Sequence, residues 1–312
     1  MKRIKNILLL SLIIGCSSCA DFLDMEPTTS VTADGSIQSV DDAEVMLNGL
    51  MYRMSSSSYY GRNFILYGDT KGGDLAIISQ GRGFDALYTF NHSASTNSYS
   101  TYWSQMYNCM AQVNNIIENI ELLEAEGSEE DFSQIKGQAL TTRANIYYDL
   151  VRLYGQPYDM DKTAYGVPDI TTVLDASAQP LRATVAENYD RIISDLTTAI
   201  GYMDKGSVDG YHSYYSNLAL QARAYLSMEN YDSALKAAEE IITSEEYQLY
   251  ENENWYSSWT SQFGSESIFE IKICVDEADL GTSSLGYYLM PKGGSAMGWF
   301  MASDYYLDRL GE

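Results

Sequence analysis

Apolar residues along this chain recur mostly at spacings of three and four, the period of a helix with one buried face. Asp41 and Asp42 precede Ala43, Val45, Met46, Leu47 and Leu50, which predicts a helix whose acidic start complements its positive end. Tyr102 to Leu123 forms a longer stretch, with Met106, Met110, Val113, Ile117 and Ile120 on one stripe. Ser133 to Tyr154 predicts a third helix, ended by Gly155 and Pro157. Thr184 to Met203 predicts a fourth, with Thr184 as cap and Glu187 three residues on, a capping box. Tyr214 to Ser227 and Tyr231 to Ile242 read as two helices joined by a tight Met-Glu-Asn-Tyr turn. A strand is expected at ESIFEIKI, Glu266 to Ile273.

That last helix pair has the form of a helical repeat. Ala222, Tyr225 and Ala234 carry the small-aromatic-small spacing of a tetratricopeptide unit, in which alanines let two backbones approach and tyrosine fills the groove. Leu218, Leu226, Tyr231, Ala238 and Ile241 would complete its apolar seam, and Ala139, Ala144, Tyr147 and Tyr148 repeat half of the theme. Between the helices lie stretches rich in Gly, Ser, Tyr and Trp: Tyr60 to Ser98, Gln156 to Arg182 and Asn252 to Glu312. The expected fold is mainly α, a tetratricopeptide-like helical repeat core with long irregular loops and a few short strands. Loops of that length are where binding is expected.

The first residues follow another logic. Lys2, Arg3 and Lys5 precede the apolar run Ile7 to Ile14, which is far shorter than the roughly 20 residues that span a bilayer. Residues 1–18 therefore read as a secretory signal. A small residue before a cysteine after such a run is the bacterial lipoprotein pattern, and two cysteines compete for acylation. Gly15-Cys16 fits the strict form, and Ser18-Cys19 a looser one that places the boundary after residue 18. Residues 19–36 then form an acidic lipid anchor and tether, and residues 37–312 the folded domain. Acyl chains at about 0.8 kcal/mol per buried CH₂ hold a protein on a membrane without spanning it.

Composition narrows the chemistry. With 43 acidic and 19 basic residues the formal charge is −24, which repels polyanions and argues against nucleic acid and against a polybasic lipid contact. With 43 acids, a pair of carboxylates at glycosidase spacing carries no specificity. No catalytic residue, metal ligand or cofactor is assigned. His92 and His212 read as solvated surface residues, and Cys109 and Cys274 as small buried hydrophobes. Gly68 to Gly73 lacks the ending of a phosphate loop, and Asp159 and Asp161 lack the further ligands of a calcium loop. The 27 Tyr and 4 Trp against 8 Phe favour rings with a polar tip, the side chains on which sugars stack. Tyr88, Trp255, Trp259, Tyr287, Tyr288 and Trp299 lie in the loops.

Several segments in order are similar to the SusD/RagB family of Bacteroidetes outer-membrane nutrient-binding lipoproteins. They are CADFLDMEP from Cys19, YGDTKGGDLAI from Tyr67, WSQMYNCMAQVNNIIENI from Trp103, GQALTTRANIYYDLVRLYGQPY from Gly137, RATVAENYDRIISDLTTAI from Arg182, and ESIFEIKI. The resemblance implies a non-enzymatic lipoprotein on the outer membrane facing the extracellular side. Such a protein captures oligosaccharides, starch-like or other glycans, and delivers them to a SusC-like TonB-dependent transporter, touching the membrane through its lipid alone. It places the ligand face on Gly68 to Asn97 and Gly281 to Met301. Within these, Asp74 and Arg82 would grip hydroxyls with Asn91 behind them, and Tyr88, Tyr287 and Trp299 would be stacking platforms. Asp74 and Arg82 can equally form a loop ion pair of little energetic value. The family is considerably longer, so the domain is expected to lack a C-terminal part. Peptide capture, as in the RagB branch, and a tetratricopeptide scaffold for a protein partner are the alternatives.

Overall fold

The computed structural model describes residues 35–78, 81, 84–91, 100–273, 280–290 and 297–311. Cys16, Cys19, Arg82, His92 and Cys274 lie outside them. The frame starts with α1 (Val40–Met54) and, after the shorter α2 (Asn63–Gly72), strand β1 (Leu75–Ile77) and one-turn α3 (Asp85–Tyr88), continues with α4 (Ser100–Ala125) and α5 (Ser133–Tyr154). Following α6 (Tyr158–Asp161) and strands β2 (Tyr165–Pro168) and β3 (Arg182–Thr184), α7 (Val185–Ala199) packs on α5. The helix pair α8 (Tyr214–Ser227) and α9 (Tyr231–Ser244) lies against α7 through α8. The C-terminal stretch carries α10 (Asn252–Ser258), α11 (Leu285–Leu289), β4 (Phe300–Ala302) and α12 (Asp304–Leu310).

Local chemistry sets the helix starts. Ser39 caps α1 and the Asp42 carboxylate returns a bond to the Ser39 backbone, while Thr184 and Glu187 do the same for α7. Each box satisfies amide groups that the first turn leaves without an intrahelical partner. The predicted apolar stripes point inward: Met106, Met110, Val113, Ile117 and Ile120 of α4 join Ala139, Ala144 and Tyr147 of α5 and Ile192 and Leu196 of α7 in one core.

Polar clamps run through this core. The Arg143 guanidinium donates Nε to Asp195 Oδ2 at 2.7 Å and Nη2 to Asp195 Oδ1 at 2.8 Å, and its Nη1 reaches Asn114 Oδ1 at 3.2 Å. Asn114 Nδ2 donates to the Ile170 carbonyl at 2.9 Å, and Tyr147 Oη to the same carbonyl at 2.7 Å. Buried Asn188 takes the Val167 amide at 2.7 Å and returns its own Nδ2 to the Val167 carbonyl at 3.1 Å. The loop from β2 to residue 173 is thus pinned to the bundle by side chains. Its backbone would otherwise lack partners, a cost of about 1–3 kcal/mol per group.

The structure corrects four expectations. The stretch from Tyr60 is not all irregular, because α2 occupies Asn63–Gly72 and absorbs the first glycines of the Gly68 to Gly73 run. Among the described residues Glu266 to Ile273 pairs with no strand; Phe269 and Ile271 pack on the main core and Ile268 on the α8–α9 pair, so burial explains its apolar content. His212 is not solvated but 2% exposed, stacked on Phe269 at 3.9 Å between centroids. The α8–α9 seam closes on Tyr215, Leu218 and Ala237, leaving Leu226 and Tyr231 exposed.

Candidate functional site

The two segments expected to form the ligand face meet through backbone pairing across 225 residues of sequence, Leu75 opposite Ala302 and Ile77 opposite Phe300 in an antiparallel ladder. Ile78 N–H extends it to the Trp299 carbonyl at 2.8 Å, and Trp299 N–H donates to the Tyr288 carbonyl at 3.0 Å. Met297 N–H donates to the Tyr287 carbonyl at 2.9 Å, so α11 is laid beside β4. At the other end of β1, Ser303 N–H donates to the Asp74 carbonyl at 2.9 Å and the Ser303 hydroxyl to the Gly73 carbonyl. Gly73, at φ +90°, supplies the left-handed turn that ends α2 and starts β1.

Above this ladder sits an aromatic cluster. Tyr288 meets Trp299 edge to face at 5.0 Å, and Phe84 meets Tyr288 at 5.9 Å, Trp299 at 6.0 Å and Phe300 at 5.3 Å. The Arg62 guanidinium lies 4.5 Å from the Tyr288 ring centre, with Nη1 donating to the Ser283 carbonyl at 3.2 Å. Arg62 therefore ties the start of α2 to the C-terminal segment by a cation–π contact and a hydrogen bond. Phe300 is fully buried, whereas Tyr287, Tyr288 and Trp299 are half-buried. The cluster presents flat apolar area fixed by neighbours, which is what stacking on a sugar ring requires.

Of the expected residues, Asp74, Tyr287 and Trp299 come together on this face. Tyr88 closes α3 immediately beyond the cluster, 44% exposed, and Asn91 is exposed three residues on, its amide donating to the Ala86 carbonyl at 3.0 Å. Arg82 lies outside the described residues. Half-buried Asp74 carries a carboxylate beside Asp69, whose own carboxyl is held above its ordinary range by burial first and by the Asp74 charge second. The sequence did not single out Arg62, Phe84 or Asp69 and left Tyr288 as one of several loop rings. For Phe84 the only local signal is its place just before the Asp85 helix start. The pairing partner of Arg62 depends on a contact 226 positions away, which no local pattern encodes.

A second polar centre lies inside the bundle. Asp149, 2% exposed, accepts from Tyr59 Oη at 2.8 Å, from Tyr60 Oη, and from Arg152 Nη2 at 2.9 Å. Burial drives its carboxyl upward while these donors oppose the shift. Tyr59 and Tyr60 stack at 4.2 Å and their hydroxyls are pushed well above 10 by burial and then by Asp149. This centre joins the loop after α1 to α5, and its Arg152 side borders a surface cavity. Among the described residues no group of three or more His, Cys, Asp and Glu could hold a metal ion. No described helix is long and apolar enough to cross a membrane.

Comparison with known proteins completes the picture. A SusD-like family profile, described as starch-binding associating with outer membrane, matches residues 21–228. The chain is 27% identical over 248 residues to SusD-like protein P2 of Formosa agariphila, covering 78% of this chain and 46% of that one. A SusD superfamily crystal structure from Bacteroides thetaiotaomicron superposes with a TM-score of 0.81 at 33% identity, covering 88% of this chain and 62% of that one. One from Bacteroides vulgatus does so with a TM-score of 0.80 at 31% identity, covering 88% and 63%. The chain thus spans about half the length of the curated relatives it matches. On the family match and the shared tetratricopeptide-like architecture, the chain belongs to the SusD-like family.

Proposed function

We propose that this chain is a non-enzymatic, lipid-anchored carbohydrate-binding protein of the outer-membrane surface that captures oligosaccharides and hands them to a SusC-like TonB-dependent transporter. The observation that carries the reading is the β1–β4 ladder, which draws Asp74 to one end and Tyr287, Tyr288 and Trp299 to the other of a single ring-lined face. Neutral polyhydroxylated rings suit it: half-buried aromatics offer C–H stacking, and the carboxylates of Asp69 and Asp74 accept from hydroxyls. A shallow surface also suits handover, since a ligand held too tightly is not released. The family's description points to the same ligand class and the same membrane.

The test is calorimetric titration of the full chain with starch-derived and β-glucan oligosaccharides, followed by Trp299→Ala and Tyr288→Ala. Binding that falls at least about tenfold in both variants supports the face; unchanged affinity removes it. Incorporation of labelled palmitate that vanishes in Cys19→Ala, or instead in Cys16→Ala, assigns the anchor. Absence of reducing-sugar release during prolonged incubation separates capture from hydrolysis.

A second reading, a scaffold for a protein partner, is favoured by one observation. Tyr231, Leu235 and Ile242 form an exposed stripe on α9, Leu235 at 56% and Ile242 at 74%. Such a stripe at helical spacing is the edge on which a repeat array continues or a helix docks.

A further inference from the structure

On the face formed by the end of α5, α6, α7 and the α8–α9 turn, two adjoining cavities of about 330 and 420 Å³ share Tyr158 and Asp159 among their lining residues. The Tyr189 ring, almost fully buried, meets Tyr158 edge to face at 5.1 Å. Arg152 forms one wall. Its Nη2 is held by buried Asp149 at 2.9 Å and its guanidinium lies 4.3 Å from the Tyr148 ring centre. Its Nε and Nη1 find no hydrogen-bond acceptor among the described residues. The cation is therefore fixed in place with donors to spare.

From the other side, Ser227 closes the end of α8, and Met228 and Glu229 form the turn. Glu229 takes φ +58°, a conformation that suits glycine, so this turn keeps an acidic side chain beside the cavities at a conformational cost. Asp159 is exposed with no hydrogen-bond partner among the described residues, and Lys162 Nζ sits 5.7 Å from the Tyr158 ring centre, where an exposed lysine swings away cheaply.

We infer that this groove is a second carbohydrate site, remote in sequence from the β1–β4 face, taking a neutral pyranose at the end or branch of a glycan. A sugar ring lies on Tyr158, vicinal hydroxyls accept from the free donors of Arg152, and the Asp159 carboxylate accepts from hydroxyls in turn. Charge selects this class over its rivals. Arg152 and Lys162 face Asp159, Asp161 and Glu229, leaving the groove slightly acidic on a chain of net charge −24, so anionic ligands are repelled. A cationic ligand would have to sit against a guanidinium already fixed by Asp149. The cavities match the few hundred Å³ of ordinary small-molecule sites. The inference stands on this groove's own geometry and is independent of whether the β1–β4 face binds.

The test uses the full chain labelled with ring-¹³C tyrosine, with Tyr158→Phe assigning the Tyr158 resonance. Maltoheptaose, laminarihexaose, cellohexaose and mannohexaose are titrated separately to roughly 20 mM, the range of weak accessory sites. The expected result is a saturable shift of the Tyr158 resonance with at least one of them, its midpoint raised at least about 5-fold by Asp159→Asn, an exposed change that leaves the fold intact. If none moves Tyr158, or Asp159→Asn leaves the midpoint unchanged, the groove is not a sugar site. Shifts confined to Tyr287 and Tyr288 would overturn this inference and leave the proposed function standing. Shifts confined to Tyr158 would do the reverse to the β1–β4 face.

Discussion

The helical bundle and the β1–β4 face are built from different kinds of contact. In the bundle, the clamping side chains are buried and hydrogen-bonded: Arg143 to Asp195 and Asn114, Asn188 to both backbone groups of Val167. On the face, rings touch rings while Tyr287, Tyr288 and Trp299 stay partly exposed, and Asp69 and Asp74 are partly exposed as well. The first arrangement fixes one conformation, because each clamp left half-made would strand a buried polar group. The second leaves apolar area available, because its order comes from a short backbone ladder beneath it. The motifs by which the chain resembles its family fall mainly on the first region. Asn114, Asn119 and Arg143 in these motifs hold loops in place, an architectural role.

The contrast is most sharply broken by removing one partner of the buried pair. Asp195→Ala leaves the Arg143 charge without its carboxylate inside the bundle and should cost about 3–5 kcal/mol. Urea denaturation followed by circular dichroism measures this. A loss under about 1 kcal/mol would mean that the clamp is solvated and that the two regions do not differ as described.

His212 gives a bundle-side prediction with a pH signature. Burial lowers its pKa from 6.5 to about 3, and its ring is stacked on Phe269 with Nδ1 3.1 Å from Ser216 Oγ. Between those two values the unfolded chain binds a proton that the folded chain refuses, so stability falls as pH drops below 6.5. At pH 5 the loss from this residue is about 2 kcal/mol. His212→Phe should flatten that part of the profile relative to the parent chain. Taking the difference isolates this residue from Asp149, whose raised pKa acts in the opposite direction. Identical slopes for parent and variant between pH 7 and 5 would refute it.

How much of this was legible beforehand follows the range of the contacts. The start of α1 could be read from its acidic first turn and that of α7 from Thr184 and Glu187, because both signals lie within one helical turn. The end of α5 could be read because Gly155 stands next to it. His212 could not: the ring that buries it, Phe269, is 57 positions downstream in a segment whose apolar pattern suggests a strand. The family resemblance pointed to the two segments that β1 and β4 bring together, yet the choice between Tyr287 and Tyr288 depended on which neighbour α11 turns toward Phe84 and Arg62. The structure sets Asp74 just before β1 with Asp69 beside it, a neighbour hidden in the sequence by glycines that read as loop and fold as helix.

On the face itself, Tyr288→Ala should separate binding from stability. The ring is half-buried and held by Trp299, Phe84 and Arg62, so its removal should weaken glycan affinity about tenfold, or ~1.4 kcal/mol. The clamps of the bundle stay in place, and the urea midpoint should move far less than in Asp195→Ala. Equal effects of the two variants on stability would merge the two regions into one.

The smallest effect concerns the turn between α8 and α9, where a bundle element and a candidate sugar groove share a residue. Glu229 occupies left-handed backbone at φ +58°, with its amide donating to the Leu226 carbonyl at 3.1 Å and the next amide, of Asn230, to the Tyr225 carbonyl at 2.9 Å. That is a helix-ending turn in which glycine avoids the crowding a Cβ suffers. Glu229→Gly should therefore stabilise the chain by about 1 kcal/mol, less the greater freedom glycine gives the unfolded state. The same change removes an acidic side chain from the rim of the Tyr158 groove and should weaken any saccharide shift seen there. A variant that gains stability and keeps full groove affinity would mean that the glutamate serves neither the fold nor the ligand. A variant that gains one and loses the other would show the bundle giving up rigidity at the one turn where it borders a binding surface.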